Sequence, residues 1–317
     1  MDTQLSPLQQ VAEHPGNARG IRLFVKRDDL LHPQICGSKW RKLAAVLPIV
    51  KSAYRGGIVT LGGPFSNHLH AVAAAGQIFE FPTFGIVRGA HASLQNPTLS
   101  ACQQNGMALF PTSKADYEAL KALPATFFSE KFRDSYFLPE GGSTPEAVRA
   151  CADIPQEIIA QLAAENDAAR QTPLYICVPA GTGCTVAGIV AGLAAQNGRT
   201  LIFPVENQGV DEESILRLVR TFRDAEADFV QRFDLVRDYV FGGFAKLHPP
   251  VMDFTRAFFR QTGILLDPIY TSKMMFGVFD LLAKNHFPPG STVVALHTGG
   301  LQGWEGFRAR YGAAGSV

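Results

Sequence analysis

The stretch PAGTGCTVAG, residues 179–188, follows the apolar run LYICV (174–178) and precedes the Ala- and Val-rich residues 186–196, which read as helical. A buried strand, a glycine turn and a helix start are thus laid end to end. Glycines at that point let backbone N–H groups converge on an anion, and the helix dipole favours negative charge there. The P-loop pattern fails because no Lys-Ser/Thr pair follows the glycines, and G-x-G-x-x-G fails because Val186 stands at the third glycine position. Three readings remain: a phosphate cradle for a smaller cofactor, a tight strand-to-helix turn, and a dinucleotide site with Glu206, about 20 residues on, at the ribose.

Outward from this stretch, short β-rich runs alternate with Ala-rich helical ones, the pattern of parallel strands covered by helices. Strands are predicted at 57–61, 83–87, 107–110, 174–178, 201–205 and 292–296, with a crossover helix over 68–79. Ahead of them, 21–25 reads as a strand and 38–54 as a helix. Residues 145–171 turn helical before the second α/β series opens. The expectation is an α/β protein of two lobes, each with a mainly parallel open twisted sheet flanked by helices. Residues 1–55 plus 157–317 would form the larger, cofactor-binding domain and 56–156 a smaller inserted α/β domain.

With 317 residues, 46% hydrophobic and 18% charged, the chain buries a sizeable core. A net charge of +1 and no basic run argue against nucleic acid as a partner. Cys36, Cys102, Cys151, Cys177 and Cys184 are never spaced C-x-x-C, so neither a disulfide framework nor a metal site is signalled, and a reducing cytoplasm is expected. No run reaches the ~18 apolar residues of a membrane span.

Three further segments carry candidate chemistry. In CGSKWRKL (36–43), Lys39 and Lys42 lie three apart on one face of a helix beginning at Ser38. A buried lysine with a depressed pKa traps carbonyl groups, whereas a basic first turn of a solvated helix is the plainer alternative. In GGPFSNHLHAVAAAG (62–76), Ser66 and Asn67 fall at a helix N-terminus able to hold a carboxylate or a ring oxygen, or Ser66 simply caps the helix. His68 and His70, two apart on a helix, point different ways and make no metal pair. Finally, Tyr270 and Thr271 in LLDPIYTSKMMFG (265–277) and Thr298 in VVALHTGGLQG (293–303) stand where open α/β sheets place ligands, or serve as a packed Tyr and two turn residues.

In this order, from VKRDDL at Val25 to HTGGLQG ending at Gly303, the segments resemble the fold-type II, tryptophan synthase beta-like pyridoxal phosphate (PLP) enzymes. Within them they resemble the family of D-cysteine desulfhydrase and 1-aminocyclopropane-1-carboxylate (ACC) deaminase. The resemblance implies that Lys39 is the Schiff-base lysine and Lys42 a phosphate contact. Ser66 would lie near the substrate carboxylate and proton transfer, and Asn67 on the cofactor's ring oxygen. Ala180, Gly181, Thr182, Gly183, Cys184 and Thr185 would take the phosphate, Thr298 would meet the pyridine nitrogen, and Tyr270 would face the substrate.

Lys39, Ser66 and Tyr270 are thereby the expected catalytic residues, with Ser66, Asn67, His68, Phe244, Tyr270 and Thr271 around the substrate. ACC deaminases carry Glu where this chain has Thr271, and His68 also matches the desulfhydrases. Phe244, in GGFAKLHPP, replaces a tyrosine usual in both. The resemblance implies a homodimeric PLP-dependent deaminase or lyase acting on a small amino acid. D-cysteine giving pyruvate, ammonia and sulfide comes first, and ACC giving 2-oxobutyrate and ammonia second. Readings of other classes are an NAD-dependent oxidoreductase using the Gly181 loop, and a ligand-binding relative without catalysis.

Overall fold

A computed structural model describes residues 5–89, 94–165, 172–193, 198–207, 209–222 and 227–317. Its strands are β1 (Leu8–Val11), β2 (Arg22–Lys26), β3 (Ile58–Gly62), β4 (Thr83–Arg88), β5 (Ala108–Thr112), β6 (Tyr136–Leu138), β7 (Leu174–Ala180), β8 (Gly198–Pro204), β9 (Phe233–Leu235) and β10 (Thr292–Leu296). The helices of the first half are α1 (Ser38–Ala53), α2 (Asn67–Phe79), α3 (Pro97–Gln104), α4 (Lys114–Lys121), α5 (Ala125–Lys131), α6 (Pro145–Ala152) and α7 (Ile154–Glu165). The second half adds α8 (Cys184–Leu193), α9 (Glu212–Arg220), α10 (Pro249–Thr262), α11 (Thr271–Ala283) and α12 (Gly303–Tyr311).

The strands form two sheets. One has the order β1-β2-β10-β7-β8-β9 and the other β5-β4-β3-β6. Only the β1–β2 pair is antiparallel among the described residues; every other pairing is parallel. In the larger sheet the C-terminal strand β10 lies between β2 and β7, pairing Ala295 with both Val25 and Cys177, so both ends of the chain build one sheet. Its two faces are covered by separate apolar layers, one around Ile176, Val178 and the α8 residues Ile189 and Val190, the other around Leu23, Leu201, Met274 and Val278. Strands buried on both faces lose alternation and read as continuous Val/Ile/Leu runs, which is why β7 and β10 stand out in the sequence.

The smaller sheet, built within residues 58–138, packs α1 and α2 on one face through Leu43, Val46, Leu69 and Val72. Tyr117 and Phe128 cover the other face. The apolar face of α6, Ala147, Val148 and Cys151, belongs instead to the core of the larger sheet. Parts of the predicted helices lie outside the described residues, namely 166–171 and 194–196.

An ion network ties α1 to the larger sheet. Arg41 donates to Asp28 and, through both terminal nitrogens, to Glu157, while Lys26 on β2 meets Glu157 at 2.8 Å. Lys26 and Asp28 are fully buried at their side chains. Charges so desolvated persist only when paired and hydrogen-bonded.

Candidate active site

The carboxyl ends of both sheets face a cavity of about 800 Å³. Strand β3 delivers Gly62 and then the N-terminus of α2; β7 delivers Ala180 and then α8; β10 leads to Thr298. A parallel strand followed by a glycine turn and a helix places helix N-termini, with their free N–H groups, at one end of the sheet. The cavity is lined by Lys39, Lys42, Ser66, Asn67, His68, Phe244, Tyr270 and Thr298, and by every residue from Ala180 to Thr185. Thr271 lies outside this lining. It is fully buried, and its hydroxyl accepts from the Asp267 N–H and donates to the Asp267 carboxylate.

Lys39 and Lys42 project from one face of α1, as their spacing predicts, and both ammonium groups donate to the Gly141 carbonyl, at 3.3 and 3.1 Å. Lys39 is half-buried against the cavity and enclosed by protein at depth. This desolvation, reinforced by Lys42 beside it, lowers its pKa from 10.5 to about 7. An amine so tuned is substantially unprotonated at neutral pH, the state required of a nucleophile or a base.

Ser66 caps α2: its hydroxyl accepts from the N–H groups of His68 and Leu69. His68 is buried, with its Nε2 on the Thr60 hydroxyl at 2.8 Å. Thr60 in turn donates to the Leu138 carbonyl, so the His68 nitrogen is the donor of that pair. Burial, then Lys39 and Lys42, keep the imidazole well below its usual pKa and hence neutral.

The glycine loop is shaped for close approach. Gly183 has φ +84°, and a Cβ on Gly181 would meet the Tyr270 ring at 3.3 Å. Gly37, just before α1, has φ +68°, and a Cβ there would collide with the Thr298 carbonyl, which accepts the Ser38 N–H. The Cys184 thiol, in hydrogen-bond contact with Cys151 and close to Lys42 and Lys39, is held below its ordinary pKa, and Cys151 above. Tyr270 meets Phe244 edge to face at 5.9 Å, and burial with Asp267 raises its phenol pKa. A glycine-floored helix N-terminus, a neutral-leaning lysine and an aromatic wall fit an aldehyde cofactor bearing a phosphate.

A family model described as pyridoxal-phosphate dependent enzyme matches residues 2–299. The chain belongs to that family. Its cofactor is PLP, and the dinucleotide and non-catalytic readings fall away. A relative from Pyrococcus furiosus is 29% identical over 297 residues, covering 90% of this chain and 86% of that protein, and is named only provisionally as an ACC deaminase. The bifunctional D-cysteine desulfhydrase/ACC deaminase of Arabidopsis thaliana is 26% identical over 311 residues, 91% of this chain and 75% of that protein. A crystal structure described as an ACC deaminase homologue superposes with a TM-score of 0.74 at 26% identity, over 95% of this chain and 90% of that one. The chain is thus a PLP-dependent, ACC deaminase-like enzyme of fold-type II.

Two contributors escaped the sequence reading. The tract EGGS (140–143) carries Gly141 and Gly142 at φ +72° and +75° against Thr182 and His68, and supplies the carbonyl shared by the two lysines. Its signal, a glycine pair just after a strand, is the one used elsewhere, but the three-residue β6 ahead of it was not recognised. Lys273, in the segment that carries Tyr270, is buried against backbone carbonyls that no sequence pattern marks.

Proposed function

We propose that the protein is a lyase that removes the amino group and a β-substituent from a small amino acid, D-cysteine fitting best. The observation supporting this is Lys39, an amine with pKa about 7 set between the glycine loop of α8 and the N-terminus of α2. In this reading the backbone N–H groups at the start of α8 hold the phosphate, with Lys42 as the counter-cation. Thr298 partners the pyridine nitrogen and Asn67 the ring oxygen. When bound, PLP supplies an electron sink for charge left on the substrate α-carbon.

Lys39 then takes the α-proton, while Ser66 and the free N–H groups of α2 hold the carboxylate. The Cβ–S bond breaks with its electron pair on sulfur, which leaves as sulfide. Water addition releases the remaining carbons as pyruvate and the nitrogen as ammonia.

Phe244 and the placement of Thr271 favour this course over ring opening, since they leave the Tyr270 phenol without a second acid–base group beside it. ACC has no α-proton, so opening its ring requires an acid–base group near the ring carbons. Residue 271 sends no group into the cavity, and Phe244 presents a ring without a hydroxyl. ACC deamination is the second reading, favoured by the names of the relatives. A homodimer belongs to the same proposal.

Assays of D-cysteine, L-cysteine, β-chloro-D-alanine and ACC under one set of conditions test the ordering. Faster release of 2-oxobutyrate from ACC than of pyruvate from D-cysteine reverses it. Borohydride reduction followed by peptide mapping tests the lysine: label on Lys42 or Lys26 instead of Lys39 defeats the assignment.

A further inference from the structure

Phe244 sits on a segment whose backbone is unusual. Phe241, Gly242, Gly243 and Ala245 all have positive φ, at 49°, 80°, 107° and 51°. Two of these four are not glycine, and L side chains adopt that conformation only when surroundings impose it. Lys273 supplies such an imposition. It lies on α11 one turn after Tyr270 and is 3% exposed. Its ammonium donates to the Val240 carbonyl at 2.7 Å and to the Gly243 carbonyl at 2.6 Å.

These carbonyls bracket the first half of the turn, and the Tyr311 hydroxyl holds the far side through the Ala245 carbonyl at 2.9 Å. Lys273 makes no ion pair among the described residues. Burial lowers its pKa to about 8, with Asp267 and then Glu206 acting in the opposite direction, so the group is mostly charged at neutral pH. An ammonium buried without a carboxylate partner opposes folding. A methionine of similar length would avoid that desolvation but could not donate to the two carbonyls.

We propose that Lys273 is a positioning residue that fixes the Phe244 turn to the helix bearing Tyr270 and so sets the width of the substrate side of the cavity. The inference rests on the reading above that this cavity takes an amino acid. It makes substrate affinity, rather than cofactor retention, depend on a lysine that touches neither. Because Lys273 follows Tyr270 on the same helix, one side chain registers both halves of the aromatic wall.

The test uses holoenzyme of wild type, K273M, K273R, F244A and K273M/F244A. Lys246 lies in the Phe244 segment, so tryptic cleavage after it, read by mass spectrometry without substrate, reports release of the turn. K273M is expected to keep the visible absorbance of bound PLP, to be cut after Lys246 about ten-fold faster, and to raise KM about ten-fold with kcat changed less than about three-fold. K273R, which still offers two donors, is expected to recover most of the protection and of the KM. The double variant is expected to show the KM of F244A alone, since the two residues act through one contact.

Unchanged cleavage and KM in K273M overturn the proposal, as do additive effects of K273M and F244A. If K273M does not fold, wild-type protection and KM in K273R support the proposal, and their loss in a folded K273R with intact PLP absorbance opposes it. Should none of the four amino acids be turned over, the functional reading fails by itself, and cleavage after Lys246 still decides whether Lys273 holds the turn.

Discussion

Lys39 and Lys42 share one acceptor, the Gly141 carbonyl, reached at 3.3 and 3.1 Å from successive positions on one face of α1. Two ammonium groups converging on a single neutral oxygen repel each other, and desolvation together with the Lys42 charge lowers the pKa of Lys39 to about 7. The pair therefore sets Lys39 toward the neutral amine, with Lys42 beside it as the phosphate contact of the proposed function.

PLP incorporation into the cofactor-free protein should report this tuning. With a pKa about 7, roughly a tenth of Lys39 is neutral at pH 6 and roughly nine-tenths at pH 8. The initial rate of appearance of the visible band is expected to rise about ten-fold between these pH values and then level off. A rate still climbing at pH 9–10 would show an ordinary lysine.

Removing the amine should stabilise the empty protein. The folded state binds fewer protons than the unfolded chain between pH 7 and 10.5, so the penalty from Lys39 is full below pH 7 and fades as pH rises to 10.5. K39M is expected to raise the cofactor-free Tm by about 2–4 °C at neutral pH, less at pH 10, and to abolish borohydride labelling. Scanning calorimetry at the two pH values checks both signs.

Filling the glycine loop should loosen the cofactor. Gly183 holds φ +84°, and a Cβ there would press on Val210 at 3.2 Å. G183V is expected to weaken PLP binding by about ten-fold or more. Equilibrium dialysis measures it, and unchanged affinity would place the phosphate elsewhere.

Glu157 should be the acid-sensitive point of the fold. Burial works to raise its pKa, but Arg41 and then Lys26 outweigh that and hold it below 4.5. Its contribution is present above that value and is lost as pH falls through the depressed one. E157Q leaves buried Lys26 without its anion and is expected to cost about 3–5 kcal/mol at pH 7. In urea titrations the gap between wild type and E157Q should narrow as the pH is lowered below 4.

Adding a phenol should move the substrate preference. F244Y places a hydroxyl on the ring that meets Tyr270. Turnover of ACC is expected to rise by about 10², the scale of one positioned proton transfer. A variant as slow on ACC as wild type would assign the ring-opening acid to another residue.

Much of this arrangement was readable from the chain because three strand–glycine–helix units converge on one place. Leu174–Ala180, Ile58–Gly62 and Thr292–Leu296 are buried on both faces and announce themselves as apolar runs. β1, with two glutamines in four residues, and the three-residue β6 and β9 carry no such pattern and form only because a neighbouring edge offers its backbone. Thr271 shows the other limit. A residue adjacent to Tyr270 in sequence is sent beneath the wall, because the first turn of α11 directs its hydroxyl to Asp267. Lys273 was invisible for a related reason, since its partners are carbonyls some thirty positions away, and carbonyls have no letter in the sequence.

The attachment of α1 carries one more consequence. The helix begins where Gly37 abuts the Thr298 carbonyl, Arg41 is clamped by Asp28 and Glu157, and the core of the smaller sheet is met by Leu43, Val46 and Val50 with Trp40 at its edge. Lys39 lies between the two anchors. The first turn is thus seated against the loop after β10 and the buried ion network of Asp28 and Glu157, while its two lysines reach across to Gly141, just after β6 of the smaller sheet. Lys39 thereby splices the two sheets: the anchors of α1 fix its backbone and a carbonyl just after β6 accepts from its amine, so a shift of either sheet reaches the same nitrogen.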